Sequence, residues 1–150
     1  LLHEQLANMV LTAEDKANVK SAWDHIKGHE EAFGAEALCR MFDSEPVTKT
    51  YFGGKDISEE SSYLHSHGKK VMCALTNAVA HIDNIEACLD KLSDTHAHEL
   101  MVDPTNFPRL AHNILLVIGI HMPQLLTCAM HCSLDKFLCQ VAEVLTSKYR

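Results

Sequence analysis

The sequence predicts an all-α fold of seven to eight helices, and three observations carry that expectation. Apolar residues recur at three- and four-residue steps along most of the chain. No stretch shows the alternation of a half-buried strand. Caps and breakers fall at helix-length intervals. At 150 residues and 47% hydrophobic, the chain makes one domain with one sizeable core. Helices with one apolar stripe each must pack on one another around that core.

The elements follow in order. Thr12 begins a T-x-x-D pattern with Asp15, a helix-start signal, and Val19, Ala22, Trp23 and Ile26 form the first stripe. Phe33, Ala37, Leu38, Met41 and Phe42 form the second, which Pro46 stops. A short turn and loop follow, broken at Gly53 and Gly54. Ser61 or Ser62 opens a long helix that runs to about His81, and Asp83 or Asn84 opens the next. Asp103 before Pro104 reads as a cap with proline at the first helical position. From there Phe107, Leu110, Ala111, Ile114, Leu115 and Ile118 run to a stop near Pro123. Pro108 interrupts this helix near its start. It removes an N–H that would donate to the Pro104 carbonyl and crowds that carbonyl, so a 3₁₀ turn or kink is expected. Thr127 caps the last helix, whose inward face is Leu134, Phe137, Leu138, Val141, Val144 and Leu145.

Charge and composition exclude several function classes. The net charge of −7, with no basic stripe, argues against a nucleic-acid binder. No apolar run reaches the ~18 residues that a membrane span needs, so none is expected. Residues 1–8 carry neither the basic leader nor the apolar centre of a signal peptide. The six cysteines, Cys39, Cys73, Cys88, Cys128, Cys132 and Cys139, therefore read as free thiols of a cytoplasmic protein. Cys128 and Cys132, one turn apart beside His131, fit small packing residues better than a metal pinch. No HExxH, GxSxG, phosphate loop or GxGxxG is present, which removes the common hydrolase and nucleotide chemistries.

Two histidines interrupt apolar stripes. Leu64, His67, Val71, Leu75 and Ala78 share one helix face; Ile85, Leu89, Leu92, His96 and Leu100 share another. A buried imidazole without a partner costs on the order of a few kcal/mol, so a shared polar guest between the two faces is an attractive reading. His65 and His98 each lie two residues from these and point to nearly opposite sides, so neither pair chelates. A haem fits better than a compact zinc site: an apolar disc whose iron needs one neutral imidazole. Without CxxCH it is not covalently attached. The residues alone leave open a pair of satisfied core histidines.

The stretches TKTYF (48–52), HGKKV (67–71), ALTNAVAH (74–81), SLDKF (133–137) and VLTSKYR (144–150), with the LSD and HAH on either side of Thr95 and the VDP and NF around Thr105, resemble the α-chains of vertebrate haemoglobin, members of the globin family. The resemblance runs without gaps from Val10 to Arg150. It implies the globin fold around haem b and reversible oxygen transport, without enzymatic activity, in a red-cell tetramer with β-type chains. By position, His96 resembles the proximal iron ligand and His67 the distal residue facing oxygen. Tyr51, Phe52, Lys70, Val71, Leu92, Leu100, Val102, Asn106, Phe107, Leu110 and Leu145 match haem-pocket positions. Tyr51, Asp103, Asn106, Tyr149 and Arg150 match the sliding contact with the β-type chain, and Arg40, His112, His131 and Asp135 the static one. A monomeric or redox-active haem globin and a decayed duplicate are the alternative readings.

Departures from the family cluster near the pocket. Glu45 stands where the family usually has phenylalanine, a costly change if the site is buried. Gly53, Gly54 and Lys55 replace a Pro-His-Phe loop. Together they lead to the expectation that haem is lost faster than from an ordinary α-chain. Thr95 replaces leucine before His96; its hydroxyl is expected to bond a carbonyl one turn back or the imidazole. Asn113, Leu126 and Cys128 differ at the static contact. Residues 1–9 precede the family's usual start, with Met9 in the place of an initiator, and read as an extension before a globin domain at 10–150.

Overall fold

A computed structural model describes residues 10–149. The extension at residues 1–9, and Arg150 among the contact residues, lie outside the described residues. The described chain is helical with no strand: α1 (Ala13–Ile26), α2 (Glu30–Ser44), α3 (Ser62–Ala80), α4 (Ile85–Asp94), α5 (Asn106–His121) and α6 (Cys128–Thr146). A 3₁₀ segment, Pro46–Phe52, follows α2, and a second, Pro123–Leu125, follows α5. A π-helical segment, Thr95–Leu100, continues α4.

The expected caps form. Thr12 accepts from the Asp15 N–H while the Asp15 carboxylate accepts from the Thr12 N–H, a reciprocal capping box. Ser61, Asn84 and Thr127 cap α3, α4 and α6 through their side chains. The start of α5 departs from expectation. Pro104 is not the first helical residue; it lies in a turn, and the helix begins at Asn106. The Asn106 and Phe107 N–H groups donate to the Asp103 and Pro104 carbonyls three residues back, as a 3₁₀ turn does. The Asp103 carboxylate takes the Thr105 N–H at 2.9 Å. The late start places Pro108 in the first turn of α5, where its missing N–H is one that has no intrahelical partner anyway.

The main core gathers Trp23, Ile26, Met72, Ile118, Leu134 and Phe137, each fully buried, from α1, α3, α5 and α6. A smaller cluster of Leu38, Met41, Phe42 and Leu64 joins α2 to α3. These two helices cross with backbones in contact. A Cβ at Gly68 would overlap the Gly34 carbonyl carbon and the Ala35 nitrogen, and one at Gly34 the Gly68 carbonyl.

A polar knot pins α1 to α6. The buried Asp15 carboxylate accepts from Ser133 Oγ at 2.8 Å and Lys136 Nζ at 2.6 Å, besides its cap bond. Burial alone would raise its pKa. Lys136, the Thr12 N–H and the Ser133 hydroxyl outweigh that and hold the carboxyl well below the usual carboxylate range. A depressed folded-state pKa contributes stability that is present above the unfolded value, ~3.9, and is lost as pH falls through the folded one. Asp15→Asn is therefore expected to cost about 2 kcal/mol at neutral pH. Urea titrations from pH 7 downward should show the gap between variant and parent closing below about pH 4.

Candidate functional site

One apolar cavity of about 270 Å³ opens between the helices. His67 on α3 and His96 in the π-helical segment both line it, with Phe52, Val71, Leu92, Leu100, Val102, Asn106, Phe107, Leu110, Leu145 and Tyr51. Of the pocket residues expected from sequence, only Lys70 stays off the wall. It is exposed, and it acts at a distance by opposing a positive charge on His67.

The His96 side is built tightly. Asn84 starts α4, which presents Ile85, Leu89 and Leu92 inward. The helix then widens into the π turn that carries His96. The His96 Nδ1–H donates to the Leu92 carbonyl at 2.9 Å, one turn back. That bond assigns the proton to Nδ1 and leaves the Nε2 lone pair free for a metal. The Phe107 ring meets the imidazole edge-on at 5.2 Å. Thr95 Oγ1 donates to the Lys91 carbonyl at 3.2 Å, so its hydroxyl is satisfied by backbone.

The C-terminal end of α6 and the residues just after it fasten this segment. Ser93 Oγ donates to the Val144 carbonyl at 3.1 Å, Lys148 pairs with Asp90 and Asp94, and the Tyr149 hydroxyl donates to the His96 carbonyl at 2.9 Å. Met101 ends the π turn at φ 48°, a left-handed conformation that non-glycine residues seldom adopt.

The His67 side is softer. The His67 pKa lies below the ordinary histidine value, chiefly through burial and then through the charges of Lys70 and His96. The neutral imidazole is thereby favoured, with one N–H to donate. Phe52 packs edge-on against its ring at 5.2 Å.

These features suit a haem. The cavity wall is mostly aliphatic and aromatic, one imidazole is held in the tautomer that ligates, and a second faces it. Among the described residues no three His, Cys, Asp or Glu side chains gather as a metal cluster, and the six cysteines are free thiols.

Several expectations need correction. Asn106 is buried at 8% exposure, lines the cavity and takes a hydrogen bond from Arg109. Asn113 is likewise buried, its Nδ2–H donating to the Arg109 carbonyl at 2.9 Å. Glu45 is not buried: its side chain is 41% exposed and lies 3.5 Å from Arg109. The cost expected from a buried unpaired carboxylate is absent, and with it half the ground for rapid haem loss. Tyr51 and Asp103 meet within the chain, the Asp103 N–H donating to the Tyr51 hydroxyl at 3.0 Å. Arg40 is paired with Glu36, whose other oxygen contacts His121. His112 and His131 are exposed and Asp135 is partly so.

The sequence reading missed Leu38, Met41, Thr48, Tyr63, Ile114 and Val141, which also line the cavity. Four of these sit on stripes read as ordinary core, because a helix facing a cavity has the same periodicity as one facing a neighbour. Thr48 and Tyr63 had no periodic signal at all.

The profile of the globin family, described as "Globin", matches residues 35–145. Curated relatives agree. The chain is 71% identical over 142 residues to "Hemoglobin subunit alpha" of Taricha granulosa, covering 95% of this chain and all of the relative. It is 63% identical to the protein of the same name from Ambystoma mexicanum, over 93% of this chain and 98% of the relative. It is 54% identical to that of Xenopus tropicalis, over 95% of this chain and all of the relative. With a cavity flanked by two imidazoles and a family match across most of its length, the chain belongs to the globin family.

Proposed function

We propose that the chain is an α-type haemoglobin subunit that holds haem b in the central cavity, carries oxygen reversibly, and works in a tetramer with β-type chains inside red cells. The observation that carries this reading is the unequal pair of imidazoles across one apolar cavity: His96 locked to its own helix, His67 held only by packing. The names of the relatives, subunits of haemoglobin, support the same reading. Among the described residues no helix is long and apolar enough to cross a membrane.

Bound haem supplies reversible binding of a diatomic gas at its iron. The chain does the rest. His96 offers Nε2 as the ligand, oriented by the bond from Nδ1 to Leu92. His67, neutral, presents an N–H to the gas side, where it favours a ligand that gains negative charge over one that does not. Phe52, Val71, Leu92 and Phe107 fill the wall with apolar surface and keep water and protons away. His67→Leu is therefore expected to raise the oxygen dissociation rate about 10- to 100-fold, the worth of one hydrogen bond to a charged acceptor. Carbon monoxide dissociation, measured by the same stopped-flow displacement, should change far less.

The assembly reading is tested by co-expression with a β-type chain. A tetramer with sigmoidal oxygen binding is expected. A stable haem monomer, or insoluble apoprotein, overturns it. Tyr51, Asp103, Asn106, Tyr149 and Arg150 on one side, and Arg40, His112, His131 and Asp135 on the other, are the residues proposed to meet the partner.

A further inference from the structure

The His67 ring makes no hydrogen bond within the described chain, so packing alone sets its orientation. Phe52 meets it edge-on, at 5.2 Å and 84°. The second restraint is Tyr63, one turn earlier on α3 and on the same helix face. Its ring lies 6.0 Å from the His67 ring with the planes 15° apart, a stacked arrangement. Phe52 also touches Tyr63, at 6.5 Å and 73°, which closes a three-ring cluster. Lys55 Nζ sits 5.6 Å from the Tyr63 centroid and ties the preceding loop to that ring. The loop itself brings no aromatic to the cavity: its other tip residues are Gly53 and Gly54, and Gly54 has open space around it. Tyr63, with Lys55 against its ring, thus gives His67 an aromatic neighbour that the loop does not supply.

We infer that Tyr63, braced by Lys55, is a positioning residue: it holds the His67 imidazole in the orientation from which its N–H reaches a gas ligand in the cavity. The inference rests on the oxygen-binding reading above. Tyr63 has no direct contact with the ligand in this role. It narrows the range of angles His67 samples, so its loss weakens a directional hydrogen bond and leaves ligand binding that needs no donor largely intact.

The test uses the haem-loaded tetramer with a β-type chain, comparing Tyr63→Leu and Tyr63→Phe with the parent. Tyr63→Leu is expected to raise oxygen dissociation about three- to tenfold, part of what the full hydrogen bond contributes, and carbon monoxide dissociation by less than about twofold. In wild-type-minus-variant infrared spectra of the carbon monoxide form, the C–O stretch moves to higher frequency, because the N–H dipole no longer faces the ligand. Tyr63→Phe keeps the ring and retains the parent values. In a His67→Leu background, Tyr63→Leu has no further effect on oxygen dissociation. Equal increases for both gases would mark a merely wider pocket and overturn the inference, as would an effect that persists without His67. An unchanged oxygen dissociation rate in His67→Leu alone refutes the oxygen-donor reading itself, which separates that failure from a failure of Tyr63.

Discussion

Replacing His96 with glycine is expected to lower haem affinity by more than about 100-fold, beyond the 10- to 100-fold typical of losing a residue that only hydrogen-bonds to a metal ligand. The expectation follows from how little else in the cavity can take its place. His67 faces the cavity from the other side, but no hydrogen bond fixes its proton, whereas His96 is committed to one tautomer by the Leu92 carbonyl. The proximal segment is also the best-anchored part of the site, clamped by Ser93 on the Val144 carbonyl, by Lys148 between Asp90 and Asp94, and by Tyr149 on the His96 carbonyl itself. Such anchoring preserves the space that the side chain vacates. Added imidazole should therefore enter it and restore haem binding. The measurement is haem transfer to an apo-globin acceptor, followed at the Soret band with and without imidazole. Transfer from the glycine variant as slow as from the parent would show that His96 does not hold the iron.

Sequence and structure agree where a local rule decides the matter. Thr12 with Asp15, Asn84 and Thr127 announce helix starts because a short polar side chain must satisfy N–H groups left free in the first turn. The two imidazoles stand out because each breaks an apolar stripe. Agreement fails where a tertiary contact decides. Nothing local tells Glu45 that Arg109 stands 3.5 Å away, so its replacement of an aromatic looks worse in the sequence than in the fold. Nothing local says whether Met41 or Ile114 faces a neighbour or a cavity. The widening of α4 into a π turn at Thr95–Leu100 left no sequence signal either, although it sets the register of His96 against Leu92. Pro108 is the intermediate case. Its ring dictated an irregular start, and the chain resolved it by beginning α5 later, not by bending a helix already under way.

The same distinction makes the second large effect one of stability. Gly68→Ala is expected to cost more than about 3 kcal/mol, at or above the usual range for overpacking a core. Gly34 and Gly68 lie within ordinary helical stretches of the sequence, where alanine is the better helix former by roughly 1 kcal/mol. The fold reverses that preference. At the crossing of α2 and α3 an added methyl meets the backbone of Gly34 and Ala35, and backbone in a packed helix cannot rotate aside as a flexible side chain can. The helices must separate, and α3 carries His67 at the neighbouring position. The distal histidine should therefore shift with the strain, so that the variant binds oxygen more weakly as well as unfolding at lower urea. Gly53→Ala provides the contrast. Its nearest obstacle is the Thr50 carbonyl at 3.9 Å, an ordinary contact. A change within about 0.5 kcal/mol is expected there. Urea midpoints of the haem-loaded proteins, read together with their oxygen dissociation rates, check both. Equal midpoints for Gly68→Ala and the parent would mean that α2 and α3 do not approach as closely in solution as this crossing requires, and the placement of His67 over the cavity would lose its support.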